Sequence, residues 1–353
     1  MSGWLETLPS ERVRAVYRDE AGDRHSKTFP TRKQAQAFLN AALVDLARGQ
    51  WVDPRGGQTP FREWAGRWMA ARFTRVTTRA GDDSCLRNHL LPFFGDLPLK
   101  DITPLTVRSF VAQLSNKVAP KTVRNIHAML STILRDAVLE GLLLSNPCAG
   151  IRLPKGPRYE ARFLSPQEVD RLVEAAPENF RTMLLTAAGT GMRWGELAGP
   201  RVDRLDLLRR RLHVTQTLVD VRGQLSFGEP KSAQSRRFIS LPPTLVTALA
   251  THLEGHRSEL VFTSENGDPL RRSNFYHRMW RPTCAAAGLV PSPRFHDLRH
   301  SHVAMLIAAG VPMKAIQHRL GHGSIVMTMD AYGHLLPDID EKLLEGLERQ
   351  LGG

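Results

Sequence analysis

Apolar positions recur along this chain with two different periods, and the period changes mark out its elements. Over residues 11–30, Val13, Ala15 and Tyr17 alternate with Arg12, Arg14, Val16 and Arg18, the period-2 pattern of half-buried strands. A turn at Ala21-Gly22-Asp23 separates them from Ser26-Lys27-Thr28-Phe29. Thr31 is placed to cap a helix running to about Arg48, closed by Gly49, with Ala35, Phe38, Leu39 and Ala42 on one face. The stretch Asp53-Pro54-Arg55-Gly56-Gly57 reads as a linker.

From 59 to 147 the period is helical throughout. Thr103-Pro104 is a cap followed by proline at the first helical position, and Val107, Phe110, Val111 and Leu114 form the stripe behind it. Pro120 opens the next helix, with Val123, Ile126, Leu130, Ile133, Leu134 and Ala137 inward and Lys121, Arg124 and Arg135 outward. Gly141 and Pro147 bracket its end. A second linker, Pro154-Lys155-Gly156-Pro157-Arg158, precedes the capping box Ser165-Pro166-Gln167-Glu168. Helical periodicity then lapses over 212–241, where Leu212–Leu218, Gln224–Phe227 and Phe238–Leu241 read as three short strands, and resumes at about Thr244. The pattern predicts a mainly α protein with small β-sheets, a multi-domain α+β chain. Its parts are a sheet-plus-helix unit over 1–52, a helical unit over 58–150 and a mixed helical unit over 160–353.

Composition adds the kind of partner. The 353 residues hold 48 Lys+Arg against 35 Asp+Glu, a formal charge of +13, which points to a polyanion such as nucleic acid. The middle segment, 61–157, is the most basic, with 14 basic and 7 acidic side chains. Arginine outnumbers lysine 39 to 9, and its planar fork suits phosphate, although a GC-rich genome would also raise it. With 42% hydrophobic residues the chain can bury cores, which excludes wholesale disorder. Cys85, Cys148 and Cys284 are scattered with no CxxC pair, which excludes a zinc ribbon and argues against a disulfide scaffold. Neither a signal-type N-terminus nor a membrane-length apolar run is present, so the expected location is the bacterial cytoplasm, in association with the nucleoid.

The residues that could carry chemistry lie in the last 160. Arg193 sits in Gly189-Thr190-Gly191-Met192-Arg193-Trp194-Gly195-Glu196-Leu197 at a helix start, and Lys231 in the turn after the second strand. His296 and Arg299 are three apart at another helix start, His322 lies between glycines, and Tyr332 follows ten residues later. Singly, each has an ordinary structural explanation as a surface charge or a core side chain. Tyr276, beside His277 and Arg278, is a rival nucleophile. His296 and His300 have the i, i+4 spacing of a zinc-binding helix, but Asp297 is shorter than the usual glutamate and Arg299 would set a cation beside a dication.

In that order, Arg, Lys, His-x-x-Arg, His and Tyr resemble the tyrosine recombinases of the lambda phage integrase type. The strings GTGMRWGEL, EPKSAQSRRFISLP, FHDLRHSHVAMLIAAGVPMKAIQHRLGH and MTMDAYGH are similar to that family's signature boxes. After the Arg193 box the family often has Leu and Trp, where this chain has Ala198-Gly199-Pro200-Arg201-Val202-Asp203. The resemblance implies an arm-type DNA-binding domain over 1–52, a core-site DNA-binding domain over 58–150 and a catalytic domain over 160–353.

It also implies a reaction. A tyrosine hydroxyl, that of Tyr332, attacks a DNA phosphodiester, giving a 3′-phosphotyrosyl link and a free 5′-hydroxyl, and a 5′-hydroxyl of another strand reverses the step. Arg193 and Arg299 would clamp the phosphoryl oxygens, His296 serve as base, His322 donate to the phosphate, and Lys231 protonate the departing oxygen, with Glu196 orienting a neighbour from behind. Tyrosine needs this help, because only about 0.1% is ionised at pH 7. No cofactor, metal or ATP is implied. The expected partners are double-stranded DNA at attachment sites, held in a C-shaped clamp that Lys121, Arg124 and Arg135 would help line, and three further copies in a tetramer. A DNA-bending accessory protein and a directionality factor complete the expected set. The C-terminal stripe Leu343, Leu344, Leu347 and Leu351 would dock on a neighbouring copy. The alternatives are a chromosome or plasmid dimer resolvase of the same chemistry, a nicking and resealing topoisomerase, and a DNA-binding regulator without catalysis.

Overall fold

The computed structural model describes residues 2–19, 22–47, 56–156, 161–230 and 233–333. The chain divides into two compact units, Met1–Arg158 and Tyr159–Gly353. Lys231, Gly49, most of the first linker, the end of the second and the C-terminal leucine stripe lie outside the described residues. No helix among the described residues is long and apolar enough to cross a membrane.

The first unit begins with an antiparallel sheet in the order β1 (Gly3–Thr7), β2 (Val13–Arg18), β3 (Arg24–Phe29). Strands β2 and β3 follow the sequence pattern. β1 does not announce itself, because its five residues carry little alternation; it forms by pairing along the free edge of β2, Gly3 opposite Tyr17. Helix α1 (Arg32–Ala47) lays Ala35, Leu39, Ala42 and Leu46 against Val13, Ala15 and Tyr17, with Phe38 only partly buried. The Thr31 hydroxyl accepts from the Gln34 amide at 3.4 Å.

Helices α2 (Phe61–Ala71), α3 (Val76–Cys85), α4 (Leu91–Phe94), α5 (Pro104–Ser115) and α6 (Pro120–Leu139) share a separate core. Thr103 caps α5 reciprocally with Thr106. All the stripe residues expected of α5 and α6 are buried. Each such side chain contributes roughly 1.5–3 kcal/mol on burial, against about 1 kcal/mol for a cap, so packing decides the fold and capping its boundaries. Trp64 Nε1 donates to the Ile133 carbonyl (3.0 Å) and Trp68 Nε1 to Asp136 (2.7 Å), which fixes α2 on α6.

The second unit opens at the Ser165 capping box, with both reciprocal bonds present, and continues as α7 (Pro166–Glu174), α8 (Glu178–Thr190) and α9 (Trp194–Leu197). Then come β4 (Leu205–Asp206), β5 (Arg211–Val214), β6 (Thr217–Val221), β7 (Gln224–Gly228) and β8 (Arg237–Ser240). The single strand expected over 212–218 is two. β5 lies between β4 and β8 in one sheet, while β6 pairs only with β7 as a hairpin. The chain changes partners at Thr215-Gln216, where the Gln216 side chain donates through Nε2 to the Gly199 carbonyl at 2.7 Å. Helices α10 (Pro243–Leu253), α11 (Arg272–Phe275), α12 (Arg281–Ala286), α13 (Asp297–Ala308), α14 (Met313–Leu320) and α15 (Ile325–Tyr332) complete the unit. The fold is mainly helical with small antiparallel sheets, as the sequence pattern implies. A small core of Val303, Ile307, Ile316, Leu320 and Tyr332 joins α13, α14 and α15, and it carries the site.

Candidate active site

Two helices end at this site on glycine. The last carbonyls of a helix have no partner within it and carry the negative end of its dipole. At the end of α8, Gly191 has φ +65°, and a Cβ there would stand 2.7 Å from the His302 ring. At the end of α14, Gly321 also has φ +65°. The carbonyls so exposed meet Arg299, which is 2% exposed. Its guanidinium donates to the Gly191 carbonyl (2.6 Å), to the Leu320 carbonyl (2.9 Å) and to His322 Nε2 (2.9 Å). Burial, then the charge of Arg193, pushes its pKa down to about 9, so it is still a cation at pH 7.

Arg193 precedes α9, and the spacing Arg193-x-x-Glu196 lets the glutamate reach back as in a capping box. Glu196 accepts from the Arg193 amide (3.1 Å) and from its guanidinium (3.0 Å). A third arginine, Arg237 of β8, donates to both Glu196 oxygens at 3.1 and 3.4 Å and to the Arg319 carbonyl at 2.6 Å. Burial raises the Glu196 pKa, but Arg237 first and Arg193 second outweigh it, and the carboxyl ends below its ordinary range. Two guanidinium groups thus share one carboxylate, and Arg299 close by has no acid bonded to it among the described residues, an excess of two positive charges beside a cleft of about 700 Å³ lined by Arg193, Ser235, Arg272, His296 and Gly323. Such a cleft selects an anion.

Tyr332 is 2% exposed, at the end of α15. Its hydroxyl is 2.7 Å from Nδ1 of His300. Burial raises its pKa, opposed by Arg299 and Arg193. Of the two histidines at the start of α13, His300 therefore meets the tyrosine; His296 stands exposed at the cleft, with its ring centroid 5.0 Å from that of His300. Lost hydration within the cleft, then the neighbouring His300, Arg299, Arg193 and Arg272, holds the His296 pKa well below the imidazole range. His322 accepts at Nε2, because arginine can only donate, so a proton on its neutral ring sits on Nδ1.

Behind these lies a supporting layer. His302, 5% exposed, is bonded through Nδ1 to the Ala188 carbonyl (2.8 Å) and accepts at Nε2 from Arg319 (2.9 Å). Arg319 also donates to the carbonyls of Gly189 (2.8 Å) and Ser240 (3.2 Å), joining α14 to α8 and β8.

Five of the seven residues singled out, Arg193, Glu196, Arg299, His322 and Tyr332, join this cluster directly or through Arg299 and His300. His296 is at its rim, and Lys231 is outside the described residues. Tyr276 is exposed and borders a shallow depression with Asp220, Arg272 and Ser273 that adjoins the cleft at Asp220 and Arg272. In the first unit, Lys121, Arg124 and Arg135 are exposed on α6, with Arg124 bonded to the Pro154 carbonyl (3.1 Å) and Arg135 paired with Asp136 (2.9 Å). Sequence reasoning missed three members. Arg237 was signalled by strand alternation, which puts it on the face of Ile239, opposite the exposed Phe238. His300 was visible only as half of a metal-like pair. For Arg319 no local signal exists.

A buried tyrosine bonded to histidine, beside guanidinium groups held by helix ends and one carboxylate, defines a tyrosine recombinase, an enzyme that cuts and rejoins DNA. Residues 162–338 match the phage integrase family and residues 61–153 the phage integrase central domain. The putative prophage phiRv2 integrase of Mycobacterium tuberculosis is 33% identical over 91% of this chain and 88% of its own. The ICEBs1 integrase of Bacillus subtilis is 28% identical over 74% of this chain and 75% of its own. The Tn1549 transposon integrase, solved in complex with a circular intermediate DNA, has the same fold (TM-score 0.72, 18% identity, 82% of this chain and 99% of that one). So does a lambda integrase tetramer bound to a Holliday junction (TM-score 0.62, 21% identity, 95% of each chain). The chain belongs to the phage integrase family, and its activity is site-specific DNA recombination.

Proposed function

We propose that this enzyme integrates and excises a phage or mobile element, with Tyr332 as nucleophile. The Tyr332 oxygen bonds to a backbone phosphorus, the P–O5′ bond breaks, and the bond energy is kept in the phosphotyrosyl link. Arg193 and Arg299 neutralise the charge that grows on the phosphoryl oxygens. His322 aligns the Arg299 guanidinium through Nε2, so any donation to the phosphate goes through Nδ1. Glu196, itself bonded to Arg237, holds Arg193 in place. Lys231 protonates the leaving oxygen, and the tyrosyl proton passes to an imidazole at the start of α13, where His296 and His300 stand.

The observation that carries this reading is the Tyr332 hydroxyl fixed by His300, one residue from the buried Arg299. Double-stranded DNA supplies the anion, the sheet of residues 1–52 reads an arm site, and α6 with Lys121, Arg124 and Arg135 contacts the core site. A tetramer brings two duplexes together, a reading supported by the lambda integrase tetramer bound to a Holliday junction, and an accessory protein and a directionality factor set the outcome.

The test is covalent trapping with chelator present and no ATP. Wild-type protein leaves a denaturant-resistant adduct on attachment-site DNA, and Tyr332→Phe leaves none while binding the same DNA. An adduct that survives in the variant moves the nucleophile elsewhere, Tyr276 first.

A further inference from the structure

We propose that His300 is the base of this reaction: its Nδ1 takes the phenolic proton of Tyr332 as the tyrosine attacks and returns it when the strand is rejoined. The inference rests on Tyr332 being the nucleophile and concerns where its proton goes.

Geometry comes first. The Nδ1-to-hydroxyl distance is 2.7 Å, within reach for direct proton transfer. The tyrosine ring is packed among Val303, Ile316 and Leu320, so the hydroxyl is fixed in place, and at 2% exposure solvent is a poor acceptor. His296 is displaced from this line. It lies edge to face with His300, one turn earlier, and opens onto the cleft beside Arg193 and Arg272. That location suits contact with the DNA phosphate rather than with the buried hydroxyl.

The charges around His300 fit a base that rests neutral. His296, Asp297 and Arg299 face it from its own helix, and Tyr332 faces it from α15. Burial lowers its pKa, Asp297 opposes this and Arg299 adds to it, with a net position below the ordinary imidazole range. In the neutral tautomer that carries its proton on Nε2, Nδ1 accepts from the Tyr332 hydroxyl, and Asp297 offsets part of the cost of the cation formed in the step.

The step balances. The Tyr332 O–H bond breaks and an N–H bond forms on His300. The Tyr332 O–P bond forms and the P–O5′ bond breaks, the 5′-oxygen taking a proton from a general acid, Lys231 in the mechanism above. On rejoining, the incoming 5′-hydroxyl gives up its proton to that group and the tyrosine recovers its own from His300.

The experiment is single-turnover cleavage of a nicked duplex carrying the attachment site, that site first located by covalent capture with wild-type protein. Two forms of the duplex are used, one with the natural phosphodiester and one with sulfur at the bridging 5′ position, whose departure needs no proton. His300→Asn keeps a hydrogen-bonding side chain but cannot hold the proton. We expect it to bind DNA normally and to cleave both duplexes at least about 10²-fold more slowly, the lower end of what a general base supplies. Added imidazole restores part of the rate to His300→Gly, with an optimum that follows imidazole deprotonation. His300→Gln serves if the asparagine variant does not fold. Cleavage by His300→Asn within threefold of wild type, or rescue by the sulfur substrate alone, overturns the assignment. The first leaves His300 a positioning contact and the second places it on the leaving group. An adduct formed by Tyr332→Phe defeats the underlying choice of nucleophile instead.

Discussion

Glu196 accepts bonds from two guanidinium groups and a backbone amide, so its removal breaks more than one contact. Arg237 has 7% of its side chain exposed, and without the carboxylate its charge stays buried beside two other cations. Such a loss costs about 3–5 kcal/mol. Glu196→Gln should show it as a lowered denaturation midpoint, along with slower adduct formation. His302 predicts the response to acid. Burial, then Arg319, pushes its pKa down to about 4, below the roughly 6.5 of an unfolded histidine. Its neutral form is favoured by folding, so its contribution is complete above about pH 6.5 and is lost as pH falls towards 4, worth on the order of 3 kcal/mol. Stability measured across that window should fall, and less steeply in His302→Gln. These residues also show what can be read from sequence. Arg193, Arg299, His322 and Tyr332 stand in short strings with their own caps and glycines. The partners of His300 and Arg237 lie 32 and 41 residues away, and no local pattern encodes such distances.

At the scale of elements, boundaries were legible wherever a side chain closes them. The Thr103 and Ser165 caps sit where the sequence puts them, because capping depends on residues within one turn. β1 and the break between β5 and β6 were not legible, since both depend on which neighbour a strand finds. The glycine that ends α8 ties element to site. A side chain at Gly191 would suffer both its positive φ and a 2.7 Å approach to His302. Gly191→Ala should lose about 2 kcal/mol or more, seen by thermal unfolding. It should also lower the cleavage rate, because the carbonyl that holds Arg299 moves with it.

For the whole molecule, the excess of positive charge sets how it meets DNA. Binding should be dominated by phosphate contacts and fall by about 10³–10⁵ between 50 and 200 mM salt if six to ten phosphates are engaged. Titration at several salt concentrations measures this directly. Lys121→Glu with Arg124→Glu should weaken binding and flatten the salt slope, while saturating protein still forms the adduct. A reduced cleavage rate at saturation would show that these residues act on the chemistry as well as on binding.

Arg299 is gripped by peptide carbonyls at two helix ends rather than by an acid. Carbonyls do not titrate, so acidification that would discharge an aspartate or glutamate leaves these two bonds unaltered, and only the third, to His322 Nε2, is lost when that imidazole takes a proton. Nor does an arriving phosphodiester have to evict a carboxylate: the guanidinium gives its charge to the guest without first divorcing a resident anion. Small tetrahedral oxyanions such as vanadate should exploit the same vacancy of counter-charge and act as competitive inhibitors of adduct formation.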